Sequence, residues 1–117
     1  MSDLKKRQDM IDAAVFINQA MMEISHTRCN YANDPFKFSA LTSGHIRLHI
    51  LYLQMAQAIA SSEDNIFTTA TTVLENNIQT LNDVENSLKS IVEDRDTVAS
   101  IVLNIRTVAK FIAKLGD

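Results

Sequence analysis

Two histidines four residues apart, His45 and His49, stand in the stretch SGHIRLHILYLQM (residues 43–55), at the head of a strongly apolar run. On a helix that spacing puts both imidazoles on one face, within reach of one metal ion. Two ligands do not complete a site. A wheel at about 100° per residue also sets the pair opposite a narrow polar strip of Arg47, Gln54 and Gln57, inside the apolar arc. The expectation is therefore two buried, neutral imidazoles. Burial disfavours the cation, and the first turn of a helix disfavours it further at His45. Each ring would then need one donor and one acceptor.

Glu23 and His26 form Glu-x-x-His, an element of carboxylate-bridged di-iron bundles, but those sites need two such elements and two more glutamates. One copy is present. Both residues fall on the polar side of their segment and are expected as a surface pair. His26, Cys29, His45 and His49 together have the donor types zinc takes. However, Cys29 lies nearly in line with Ile11 and Met22, and His26 is about 60° away on the wheel. Metal and cofactor are both expected to be absent. Cys29, the last residue of an apolar face, reads as inert packing more readily than as a reactive thiol. A phosphate-binding glycine loop, a Cys-x-x-Cys-His haem motif and a nucleophile beside a base are all missing. Spacing gives no grounds for an enzyme.

The elements that position these residues read as helices. The 117 residues hold two glycines, Gly44 and Gly116, and one proline, Pro35, too few breakers to punctuate a many-stranded fold. The first segment, from about Ser2 to Cys29, gathers Met10, Ile11, Ala14, Val15, Ile17, Met21, Met22 and Ile24 into one broad arc. Ser2 is a candidate cap, and Lys5, Lys6 and Arg7 oppose the helix dipole at that end. Met10, Met21, Met22 and Met55 suit either core filling or an adaptable binding surface.

Residues 30–44 read as a connection, with Tyr31, Phe36 and Phe38 expected as a plug over one end of the core or as a recognition surface. Asp34 before Pro35 is a cap signal that would start a helix early. The second segment, from about Ser43 to Ala60, is apolar over most of its circumference.

From Asn65 to Leu115 one heptad register persists. Phe67, Leu74, Leu81, Leu88, Arg95, Val102 and Ala109 share one core position; Ala70, Asn77, Val84, Ile91, Val98, Ile105 and Ile112 share the other. Asn77 and Arg95 interrupt the pattern and can be read as devices that fix register or partner number. A single helix there would be about 75 Å long. A break within residues 82–90, NDVENSLKS, is preferred, because Asn, Asp and Ser are weak helix formers and good caps. The preferred break gives helices of about 64–83 and 87–115.

The expected fold is all-α: one domain over residues 1–117, an antiparallel four-helix bundle. The alternative is three helices whose long C-terminal member forms a dimer. A net charge of −3 argues against nucleic acid. Short apolar runs argue against a membrane span, and the N-terminus lacks a cleaved-signal pattern. With one cysteine, a cytoplasmic location is expected. The functional expectation is a small, non-enzymatic helical protein-protein interaction module, self-associating or holding another subunit. A secretion chaperone's client, a toxin met by its antidote and an assembly subunit all suit it. Ile46, Ile50, Leu51, Leu53, Met55, Leu81 and Leu88 are the expected interface residues, because a small bundle can bury a helix apolar all round only by surrounding it or dimerising across it. A metal- or small-ligand-binding bundle using His45 and His49 is the alternative.

Overall fold

The computed structural model describes residues 3–61 and 64–115, and the described residues are all-helical, without a strand. Helix α1 spans Asp3–Arg28 and passes through a short 3₁₀ turn, Cys29–Tyr31, before α2, Pro35–Ala60. Then follow α3, Asp64–Asn76, α4, Ile78–Ile91, and α5, Arg95–Leu115. A helix of 26 residues is about 39 Å long. The body measures 47 × 20 × 19 Å, so α1 and α2 can lie only along its long axis.

Helix α1 packs most extensively against α5 and α2; α2 also touches α3 and α4, and α5 touches α3 and α4. One core runs through all five, with Ile17, Ile24, Leu48, Met55, Leu74, Leu81, Ile101 and Ile112 fully buried. Phe16 stacks on Phe111 with ring centres 6.1 Å apart, tying α1 to α5. At Gly44, α2 faces α4: a Cβ there would meet Val84 Cγ1 at 3.5 Å, an ordinary packing contact.

Local chemistry accounts for the ends. Asp34 caps α2, its carboxylate accepting from the Lys37 amide at 3.1 Å, with Pro35 in the first turn. The early start replaces the expected beginning near Ser43. Asp94 holds the start of α5, accepting from the Asp96 amide and the Thr97 hydroxyl; these bonds hold its carboxyl below the ordinary value, with the Thr97 hydroxyl foremost. Tyr31 seals the turn end of the body, its hydroxyl accepting from the Glu93 amide at 3.0 Å. Phe36, expected in the same plug, stands 78% exposed. The expected cap Ser2 lies outside the described residues.

The break within residues 82–90 does not occur: that stretch lies inside α4, and the C-terminal half holds three helices, not two. The chain departs from helix at Asn77 and again at Val92–Asp94. These are the places where the register turns polar. Asn77 Nδ2 donates to the Val73 carbonyl at 2.6 Å, occupying the junction between α3 and α4. Arg95 is the exposed first residue of α5. A polar side chain at an inward heptad position is accommodated by ending the helix there. Asn82, Asp83, Asn86 and Ser90 face outward and cost α4 little.

Candidate interaction surface

The histidines lie on the flank of α2 beside α1, not in the core. The inward face of α2 is Leu41, Gly44, Leu48, Leu51, Met55 and Ala58. His45 is half-buried, and its Nδ1 is 3.2 Å from the Met21 carbonyl oxygen of α1, so Nδ1 carries the proton and donates. His49, expected to be buried, is exposed. Its ring stacks on His45 on one side and Tyr52 on the other, both with ring centres 6.4 Å apart. The expected burial fails at His49 because α2 is apolar on two sides, and packing selects the side opposite Ile46, Ile50 and Leu53.

His26 is exposed near the end of α1. Cys29 is also exposed, its thiol directed to the Ser25 carbonyl at 3.7 Å. Its expected role in packing therefore fails: α1 has ended at Arg28, and the turn carries Cys29 outward. No three His, Cys, Asp or Glu side chains stand together among the described residues as a metal site would require. Glu23 does not pair with His26. It accepts from Ser100 Oγ and Asn104 Nδ2, each at 2.6 Å, and so joins α1 to α5.

The expected interface residues divide into two groups. Leu51, Met55, Leu81 and Leu88 are core side chains of this chain, and Ile46, Ile50 and Leu53 are 52%, 52% and 53% exposed. Of the ten large apolar side chains exposed among the described residues, nine belong to α1 and α2; Leu103 on α5 is the tenth. Helices α4 and α5 separate apolar and polar residues into two faces, whereas α1 and α2 carry apolar residues on both sides. On α1 the outward apolar residues are Leu4, Ile11, Val15 and Met22. They recur at heptad-like spacing, the pattern of a helix seam. Met10, Met21 and Met55 fill the core, leaving only Met22 of the four noted methionines on this surface.

Between the two helices lies an open groove of about 820 Å³, walled by Ile11, Val15 and Met22 from α1 and by Tyr52, Ala56 and Ile59 from α2. Beside it, Ile46, Ile50 and Leu53 form a ridge along α2. Residues 13–22 and 48–61 contain no Lys, Arg, Asp or Glu, so the middle of groove and ridge is free of formal charge, with Asp12 beside Ile11 and the exposed Arg47 beside Ile46 at its margin. Sequence reasoning found the apolar excess of α2 but missed the outward strip of α1, whose signal was the spacing of Leu4, Ile11, Val15 and Met22. No helix of the described residues is long and apolar enough to cross a membrane. Compared with known protein families, curated proteins and solved structures, the chain gives no match.

Proposed function

We propose that this chain is a non-enzymatic helical interaction protein whose α1–α2 face holds a protein partner, either another subunit or a further copy. The reading rests on nine of the ten large apolar side chains exposed among the described residues lying on two of the five described helices. Scattered apolar residues are ordinary on a protein surface; Ile11, Val15 and Met22 gathered along one wall of a groove, with Ile46, Ile50 and Leu53 beside it, suit a docking surface. The partner would present a helix, since seam spacing on α1 and α2 matches helical side chains at i, i+3, i+4 and i+7.

The scaffold in this proposal is an antiparallel four-helix bundle in which α3 and α4 form one interrupted rod. Supporting it, Arg7 meets Ala58 while Arg28 meets Thr42 across α1–α2. Glu23 meets Ser100 while Phe16 meets Phe111 across α1–α5. The exposed, unbridged thiol of Cys29 suits a reducing, cytoplasmic setting.

The test places a photo-crosslinking residue at position 50 and, as a control, at the exposed position of Lys110, in producing cells. A discrete adduct from position 50 alone, identified and rebuilt from purified proteins, is the expected result. No adduct at position 50, or equal capture at both, overturns the reading.

A further inference from the structure

We infer that the α1–α2 face docks a second copy of the chain, each copy's ridge of Ile46, Ile50 and Leu53 lying in the other's groove. The inference rests on the interaction reading above and supplies its partner.

The first support is geometric. Ridge and groove lie side by side along α2, so a two-fold axis parallel to that helix and midway between them lays both ridges into both grooves at once. Residue heights are unchanged by that rotation, which makes the fit checkable. Met21 lies level with His45, and Arg7 with Ala58. With equal rise per residue in the two helices, Val15 falls at the level of Ile50 and Leu51. Met22 then falls at the level of Ser43 and Gly44, just beyond Ile46, and Ile11 at the level of Gln54 and Met55, just beyond Leu53. The ridge thus lies within the span of the groove's α1 wall, with Ile50 opposite Val15.

Charge is the second support. Each copy carries a net charge of −3, so copies repel except across a patch that brings no like charges together. Residues 13–22 and 48–61 form the middle of such a patch, and the residues that adjoin its ends, Asp12 and Arg47, are of opposite sign.

Area is the third. Ile11, Val15, Met22, Ile46, Ile50 and Leu53 stand 39–63% exposed. Two copies therefore bring together on the order of 1,000 Å² of apolar surface, the lower limit for a specific contact. A dimer with a Kd in the micromolar range is expected, since area near that limit leaves little surplus after association entropy.

Sedimentation velocity of the purified chain, from roughly 5 to 500 µM around that expected Kd, tests the inference. The wild type should pass from 13.1 kDa toward twice that mass. Ile50→Lys alone and Val15→Asp alone should each stay monomeric, with circular dichroism confirming the fold. An equimolar mixture of the two variants should recover a dimer. One ridge-in-groove contact is then native, and in the other the two introduced charges are opposite and face each other. A wild type that remains monomeric at the highest concentration overturns the inference. So does a monomeric mixture, or a dimer unmoved by either substitution. Crosslinking from position 50 to a different protein would preserve the interaction reading while removing the second copy.

Discussion

Glu85 of α4 and Arg106 of α5 meet in a two-bond fork, Nε to Oε1 at 2.9 Å and Nη2 to Oε2 at 3.4 Å. Lys89 reaches the same carboxylate at 3.1 Å. Only 12% of the Glu85 side chain is exposed, whereas that of Arg106 is 62% exposed. The Arg106 hydrogen bond, foremost, and Lys89 hold the Glu85 carboxyl below its ordinary value. A carboxyl depressed on folding stabilises the fold above its unfolded pKa, near 4.3, and loses that contribution as pH falls through the folded value. Glu85→Gln should therefore cost about 1 kcal/mol at pH 7, the scale of a well-formed surface pair. The gap to wild type should close below about pH 4. Urea melts across pH 3–7 check this; a gap unchanged throughout would refute the linkage.

Arg7 joins three elements. Its guanidinium donates to the Ala58 and Ser61 carbonyls at 3.2 and 2.6 Å and lies over the Phe67 ring at 4.4 Å. Helix α2 ends there, and the Ala58 carbonyl also accepts from the Ser61 amide at 3.2 Å, so the guanidinium adds a positive charge at the negative end of the helix dipole. Arg7→Ala should lower stability by about 1–2 kcal/mol. Arg7→Lys should recover only part, because an ammonium lacks the plane that stacks on Phe67. Thermal melts of the three proteins measure this, and equal midpoints would show the clamp to be inert.

Gly44 sits in the middle of α2 with φ in the ordinary helical range. A Cβ would meet Val84 at ordinary van der Waals distance. Gly44→Ala should therefore stabilise by up to about 1 kcal/mol, the helix-propensity difference, raising Tm by a few degrees. A lowered Tm would mean that α2 and α4 pack more tightly than this contact indicates.

Much of the fold was legible because periodicity reports which residues turn inward. Phe67, Leu74, Leu81, Leu88 and Val102, with Val84, Ile91, Val98, Ile105 and Ile112, are all buried where the heptad register put them. Helix ends were harder to locate. Composition pointed to Asn82–Ser90, but outward-facing weak formers interrupt nothing; the two polar residues inside the register, Asn77 and Arg95, lie where the helices stop and start. Residue placement on α2 was ambiguous for a different reason. A wheel apolar all round does not say which arc faces in, so Leu51 and Met55 could not be separated from Ile50 and Leu53. The histidines went with the wrong arc. Gly44, which faces Val84, lies with Leu41, Leu48, Leu51 and Met55 on the inward side.

The pairing of α1 with α5 also has a consequence for synthesis. The ribosome makes α1 first and its most extensive partner last of the described helices. At typical elongation speeds the interval between them is on the order of ten seconds. During that time α1 lacks the cover of α5, and α2 that of α3 and α4, while both carry apolar residues on two sides. The nascent chain must then be kept from its neighbours on the same messenger, where the concentration of like copies is highest. If those copies bind through the α1–α2 face, the first encounter between subunits can take place before either chain has been finished.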